Sequence, residues 1–421
     1  MTKEYLKRTV DIVLTKALVT TGAVLIEGPK WCGKTRSAQE KAKSALFMQD
    51  PDYSATYLRI ADTKPSLLLE GEMPRLIDEW QTAPVLWDAV RFAVDQRSEK
   101  GQFILTGSAV PNDNTKQHTG TGRISRILMR PMSLFESLDS NGVISLEKMF
   151  EKEADIAGKS DLTLEKLAYV ITRGGWPDSI NENEIVALGI IHSYIEAIIN
   201  ADVTRVDGIK KNPLLVRTLM RSLARNVAST ANLPTIRNDM LGSGEKVSER
   251  TLSTYLNALR RIYVIEDLPA WNPALRSKTA QRSSPKRHFV DPSIATAVLR
   301  ASKDSLLHDF NTFGLLFESL CIRDLRVYSQ LIDGEIFHYR DKNNLEADAI
   351  VSLKDGRWAA VEVKMGAKEI ELAAANLKKL ESKIDLNRMQ KPSFLMILTA
   401  EGLAYRRADG VYVVPIGCLK Y

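Results

Sequence analysis

Gly28-Pro29-Lys30-Trp31-Cys32-Gly33-Lys34-Thr35 directly follows a short apolar run, Ala23 to Glu27, and leads through Arg36 into a segment that reads as a helix. The spacing is G-x-x-x-x-G-K-[ST]. Its glycines let the backbone turn tightly enough for successive N–H groups to face phosphate oxygens. The helix that starts near Gly33 adds the positive end of its dipole. Lys34 is expected to reach the β- and γ-phosphates, and Thr35 to offer its hydroxyl to Mg²⁺. An ordinary glycine turn is the competing reading, and the strand before and helix after favour the phosphate cradle. Residues 28–36 are therefore the candidate nucleotide-binding residues, with ATP and Mg²⁺ as the expected cofactors.

Such a cradle needs an acidic partner at the end of a neighbouring strand. Arg75-Leu76-Ile77-Asp78-Glu79 supplies one. Asp78 is placed on the metal, largely through its water shell, and Glu79 on the attacking water. Asp78 as a plain helix cap is the alternative. The adjacent acidic pair favours hydrolysis over nucleotide binding alone. The next apolar run, Phe103 to Leu105, ends in Thr106-Gly107-Ser108. Thr106, with Ser108 behind it, is the candidate sensor of the γ-phosphate. Arg123 and Arg126 are candidates for the arginine that stabilises the transferring phosphoryl group, from within the chain or from a neighbouring subunit. Two surface arginines at strand spacing are the bland alternative.

The chain has 421 residues, 44% apolar and 26% charged, which excludes wholesale disorder and suggests several domains. A formal net charge of +6 permits nucleic-acid contact without requiring it. Three widely spaced cysteines exclude a disulfide framework, and five histidines without a His-x-x-x-His pair argue against a zinc enzyme. The N-terminus is charged throughout, and no apolar run approaches the ~20 residues of a membrane span, so the expected location is the cytoplasm with no membrane partner.

Four regions are expected: an α/β core over 1–137 with a parallel sheet, a linker and helical part over 138–205, a winged-helix-like part over 206–287, and a mixed α/β domain over 288–421. Residues 139–163 read as a loose connection with one short helix, and 164–204 as helical. Helices are expected over 213–228, 234–241 and 249–263, and strands near 335–339, 346–353, 357–363 and 394–399. In the third helix Leu252, Leu256 and Leu259 form an apolar stripe, while Arg250, Thr254, Asn257 and Arg261 lie elsewhere. A recognition helix presents such a polar face to DNA, and the basic stretch 276–288 suits a wing touching phosphates. A plain helical domain with a solvated charged face is the alternative to this winged-helix reading.

Further on, Glu346 to Val351 and Val361 to Lys364 read as two strands joined around Asp355-Gly356. Glu362 and Lys364 share one strand face. Asp348 and Glu362, with Glu318 from the preceding helix, are candidate ligands for divalent cations, and Lys364 a candidate for orienting water or stabilising phosphate charge. Register decides this. A two-residue turn sends Asp348 and Glu362 to opposite faces, whereas a three-residue turn or a bulge brings them together. A solvated sheet face carrying these charges is the alternative.

GPKWCGKT, LIDEWQ, FILTGSA, GTGRISRILMRPMSLFES, HFVDPSIATAVL, GLLFESL, LEADAIV and VEVK together resemble the bacterial and archaeal AAA-type ATP-binding proteins that carry a second conserved C-terminal domain of uncharacterised function. The resemblance covers nearly the whole chain, though the middle helices match by pattern only. It implies an ATPase core, a winged-helix segment and a restriction-endonuclease-like C-terminal fold of the PD-(D/E)XK type. That type in turn implies Mg²⁺-dependent phosphodiester cleavage at Asp348, Glu362 and Lys364. The expected function is an ATPase that couples hydrolysis to binding or processing of DNA. The alternative is a nucleotide-controlled DNA- or protein-binding regulator with an inactive nuclease-like domain. A homo-oligomer or a protein partner fits either.

Overall fold

The run Ala23–Glu27 forms β1, preceded by α1 (Thr9–Thr20) and followed by the glycine loop and α2 (Lys34–Gln39). Strand and helix then alternate as β2 (Ser44–Phe47), α3 (Ser54–Thr63), β3 (Arg75–Asp78), α4 (Val85–Arg97), β4 (Phe103–Gly107) and β5 (Ile124–Leu128). A computed structural model of the chain describes residues 4–108, 122–151, 156–206, 208–244, 247–272 and 284–421. The polar stretch 112–121 and residues 276–283 of the expected wing lie outside the described residues.

The five strands pair in parallel in the order β2-β3-β4-β1-β5. Both faces are covered, which is why the strands read as continuous apolar runs rather than alternating ones. Val24, Ile26, Leu76 and Ile104 pack with Val10 and Leu14 of α1 on one face, and Leu25, Ile77, Phe103 and Leu105 pack with Trp80 and Trp87 on the other. All carboxyl ends emerge at one edge, where open α/β sheets bind ligands. β4 lies between β1 and β3, so Thr106 is level with Ile26 at the end of that edge.

β6 (Ile144–Ser145), α5 (Leu146–Glu151) and β7 (Gly158–Lys159) follow. This segment holds the one short helix expected of it, but it is no loose connection. β7 joins the C-terminal sheet beside β12, and β6 pairs with β14, the last strand. Next come α6 (Leu164–Arg173), α7 (Glu184–Ala197), α8 (Val203–Arg205), α9 (Pro213–Arg225), α10 (Leu233–Gly242) and α11 (Glu249–Arg261). Thr163, Asn183, Asn212, Asn232 and Ser248 cap α6, α7, α9, α10 and α11 by accepting backbone N–H bonds. The Leu252, Leu256 and Leu259 stripe of α11 is buried, as its spacing predicts. After α11 an antiparallel ribbon forms through bridges between Ile265 and Phe289 and between Leu268 and Lys286.

The run Glu184–Arg205 corrects one expectation: by length and composition it is long and apolar enough to cross a membrane. A third of its most apolar window is buried inside the protein. Ile191, Tyr194, Ile195 and Ile198 face the main core, and a turn of π-helix over Ile198–Asp202 aims Asp202 at Lys30 of the glycine loop, 2.6 Å away.

α12 (Pro292–Leu299), α13 (Lys303–His308) and the long α14 (Phe310–Ser329) lead into β8 (Gly334–Arg340), β9 (Glu346–Leu353), β10 (Trp358–Lys364), α15 (Ile370–Ser382), β11 (Phe394–Thr399), β12 (Leu403–Arg406), β13 (Tyr412–Pro415) and β14 (Leu419–Lys420). The sheet is mixed and seven-stranded, β7-β12-β13-β11-β10-β9-β8. One apolar cluster runs from Leu134 to Leu419 and joins the middle helices to this sheet without a break.

Four segments meet at one buried cation. Arg323 of α14 bonds Asp291 Oδ2 at 2.8 Å and Asp324 Oδ1 at 2.7 and 2.9 Å. Asp291 also accepts from Gly175 N, and Asp324 from Leu134 N. Removing one partner of a sealed ion pair strands the other charges. Arg323→Ala is expected to lower unfolding stability by about 3–5 kcal/mol, read as a drop in the urea midpoint.

Candidate functional site

The glycine loop is shaped by close backbone approach. Gly28 has φ +151°, and a Cβ there would stand 2.1 Å from the Met129 carbonyl oxygen, beyond the end of β5. Gly33 has φ +99° and opens α2 in the left-handed region that suits glycine. Lys34 is buried, its Nζ donating to the carbonyls of Gly28 and Pro29 at 3.0 and 2.7 Å. Lys30 pairs with Asp202, and the Trp31 ring lies 5.4 Å from that of Tyr194. Cys32 is buried beneath the loop, Pro29 supplies a carbonyl to Lys34, and Arg36 pairs with Glu40 at the rim.

The acidic pair lies at the same edge. Asp78 Oδ1 accepts from Thr35 Oγ1 at 2.7 Å and from Thr106 Oγ1 at 2.5 Å. A hydroxyl from the loop and a carboxylate from β3 thus converge, which is the donor set a magnesium ion with a phosphate-bound shell requires. Glu79 stands in the left-handed region, φ +54°. It is held there by its N–H on Thr106 Oγ1, and its Oε2 accepts from Gln81 Nε2 and Ser108 Oγ. Thr106 is thereby tied to both acids.

A cavity of about 910 Å³ opens over the loop, lined by Gly33, Lys34, Thr35, Arg36 and Glu79 on one side. Sequence reading missed its other wall, formed by Tyr5, Arg8, Met132, Pro177 and Asn181. Arg8 is tied to the loop through the Cys32 carbonyl and to Glu136. Nothing in its local pattern signals that role. The turn Gly174-Gly175-Trp176-Pro177 shapes this wall: the Gly175 carbonyl accepts from Met132 N, and Pro177 packs beside Gly33. A second cavity of about 270 Å³ is lined by Glu79, Gln81, Ser108, Lys30 and Arg205. Arg205 was also missed, because it sits in a helix whose sequence carries no motif.

Arg123 and Arg126 do not face the glycine loop of their own chain. β5 runs parallel to β1 with Ala23 opposite Ile124, so Arg123 lies at the amino end of the sheet, opposite the loop. It pairs with Asp95, while Arg126, in mid-strand, pairs with Glu27. Neither lines the cavities over its own glycine loop.

In the C-terminal sheet, Val361 pairs with Ala349, and Leu353 N donates to the Arg357 carbonyl across a three-residue turn, Lys354 to Gly356. That register puts Asp348 beside Glu362 on one face. Glu318 of α14 completes a buried cluster, but the carboxylates are spent on ammonium groups. Lys286 Nζ lies 2.7 Å from Glu318 Oε1 and 3.1 Å from Asp348 Oδ1. Lys364 Nζ lies 2.8 Å from Glu362 and 3.6 Å from Asp348 Oδ2, which also accepts from Val363 N. Burial, and then the Asp348 charge, pushes Glu318 up to about 7 and Glu362 up to about 8. Against its own burial, Asp348 is held low by Lys286 and Lys364. Among the described residues no group of three or more His, Cys, Asp or Glu is disposed to hold a metal ion. Glu318, Asp348 and Glu362 do not form the expected open metal site in this arrangement: lysines stand where the cation was expected.

Residues 20–138 match a family described as AAA domain. The N-terminal domain is an AAA-type P-loop ATPase domain. Residues 164–305 and 313–419 match two further families, each described as a domain of unknown function, DUF8612 and DUF4143. An uncharacterized protein of Mycobacterium tuberculosis and one of Mycobacterium bovis are each 25% identical over 357 residues, 83% of this chain and 72% of theirs. Among solved structures, the Walker-type ATPase PABY2304 of Pyrococcus abyssi is 15% identical with a TM-score of 0.42, over 70% of this chain and 96% of that one. A signal transduction ATPase with numerous domains from Pyrococcus horikoshii is 14% identical with a TM-score of 0.21, over 78% and 49%. At those scores the superpositions carry no argument. The sheet and the family match do.

Two substitutions separate binding from turnover. Lys34→Ala is expected to abolish the heat of Mg-ATP titration. Glu79→Gln is expected to retain that heat while phosphate release falls about 10²–10⁴-fold, the contribution of a positioned general base.

Proposed function

We propose that this chain is a Mg²⁺-dependent ATPase that couples nucleotide turnover to nucleic-acid binding by its middle region. The observation that carries the ATPase half is Asp78 gripped by Thr35 and Thr106 with Glu79 beside it. Lys34 would leave the Gly28 and Pro29 carbonyls for the oxygens of a bound phosphate. Thr35 and Asp78 would hold a magnesium ion, which would supply positive charge against the phosphates. Glu79 accepts a proton from the attacking water, and the Gln81 and Ser108 contacts fix the carboxylate that does so. Arg205 and Lys30 supply positive charge on the side of the loop that Glu79 faces.

The nucleic-acid half rests on the middle helices. Three helices followed by an antiparallel ribbon support a winged-helix arrangement. On α11, Arg260 and Arg261 are engaged with Asp267 and the Val206 carbonyl, so the expected recognition face keeps Arg250 and Asn257 exposed. α9 offers a stronger phosphate surface: Arg217, Arg221 and Arg225 recur at i, i+4, i+8 and are all exposed. Among the described residues neither Arg221 nor Arg225 has an ion-pair partner. Cleavage is a second reading, favoured by the turn that sets Asp348 beside Glu362, and the lysines in that cluster weigh against it.

Duplex binding measured by anisotropy at several salt concentrations tests the proposal. Affinity is expected to fall steeply with salt, and Arg221→Ala with Arg225→Ala to flatten the log–log slope by about 2. Absence of binding at low salt overturns the nucleic-acid half and favours a protein partner.

A further inference from the structure

We propose that Lys286 is an internal stopper: its ammonium group fills the cation position of the C-terminal carboxylate cluster and keeps divalent metal out, and its withdrawal opens the site. The nuclease-like reading bears only on what an opened site then does.

The first argument is spatial. A hard divalent cation shared by Glu318 and Asp348 needs oxygens at about 2.0–2.6 Å. The Lys286 nitrogen lies 2.7 and 3.1 Å from those same two carboxylates, so ion and ammonium exclude each other. The remaining Asp348 oxygen is committed to Val363 N and faces Lys364. The second argument is charge. With both lysines in place two ammonium groups already face the carboxylates, and a divalent ion would add like charge within a few ångström of each. With Lys286 gone, one fewer ammonium group opposes the ion, and the Glu318 and Asp348 oxygens it held are freed for a divalent cation.

The third argument is the mounting. Lys286 does not belong to the sheet that carries the acids. It sits on the ribbon that follows α11, its backbone N–H and C=O both bonded to Leu268. The next residue, Arg287, bonds the Ser229 and Ala231 carbonyls between α9 and α10 and the Asp267 carboxylate. Two positions from Leu268 on the same ribbon, Glu266 receives a bidentate contact from Arg130, just past β5 of the ATPase domain. Burial raises Glu266, but Arg130 and Arg326 outweigh it and hold the carboxyl down to about 2. The stopper is thus carried by the element that touches both the middle helices and the ATPase domain. The ribbon is also bonded to β8 at His338, through Pro269, Trp271 and Ser284, so withdrawal of Lys286 is a movement of its side chain out of the cluster rather than a release of the ribbon.

The experiment is Mn²⁺ uptake by the full chain, followed by electron paramagnetic resonance without nucleotide, in an Asp78→Asn background that silences the magnesium position of the ATPase domain. The background protein and its Lys286→Arg variant are expected to take up no ion at the cluster. Lys286→Met and Lys286→Gln are each expected to take up about one equivalent, lost again when Asp348→Asn is added. Cleavage of duplex DNA is read in parallel. Uptake without cleavage keeps the stopper and ends the nuclease reading. Asp348-dependent uptake by the background protein equal to that of the Met variant overturns the stopper. So does no uptake by folded Met and Gln variants, or failure of both to fold, because a withdrawable group must leave a folded protein behind.

Discussion

The whole arrangement hangs on a guanidinium that never meets solvent. Arg323 joins Asp291 to Asp324, and these carboxylates in turn fix Gly175, through the same Asp291 oxygen, and Leu134, through the second Asp324 oxygen. Gly175 begins the turn that sets Pro177 against Gly33, and Leu134 follows the segment whose Met129 carbonyl abuts Gly28. One sealed cation therefore fixes the far wall of the nucleotide cavity and the base of the C-terminal domain together. A well-packed apolar trio could hold such a junction as tightly. What the ionic version adds is a fixed direction for each backbone segment that leaves it.

Electrostatics divides the two candidate sites. At the ATPase end, Lys34 rests on neutral carbonyls, a weak attachment that a triphosphate can outbid. At the C-terminal end, Lys286 and Lys364 rest on buried carboxylates, where the low dielectric strengthens the attraction and desolvation penalises every unpaired state. One lysine is poised to move to a ligand, while the other two already have theirs.

Most of the ATPase domain was legible in the chain. Buried parallel strands announce themselves as apolar runs, and the loop chemistry needs particular residues at fixed spacing, so Lys34, Thr35, Asp78, Glu79 and Thr106 fall together as their spacing implies. The strands of the C-terminal sheet and the stripe of α11 were equally readable from periodicity. Three things were not. Arg123 precedes β5 at the amino end of the sheet and Arg126 lies in mid-strand, so neither reaches the carboxyl edge of its own chain; only the strand's placement in the sheet shows this. Arg8, just before α1, and Arg205, in α8, reach the cavities from segments with no local pattern. Lys286 looked like one cation among many in a basic stretch, and only its pairing with Leu268 brings it to Asp348.

The pairing of β6 with β14 has a consequence for how the protein is made. Ser140 bonds the Leu419 carbonyl across a sequence separation of 279 residues. On the ribosome the parallel sheet of the ATPase domain can close early, since its strands are near neighbours in the chain. The apolar residues just beyond it, Ile144, Leu146 and Phe150, then wait for partners not yet synthesised. Contacts so distant in sequence form slowly, and exposed apolar segments of that kind invite aggregation. Nascent chains halted between these two points should therefore be the ones that chaperones hold.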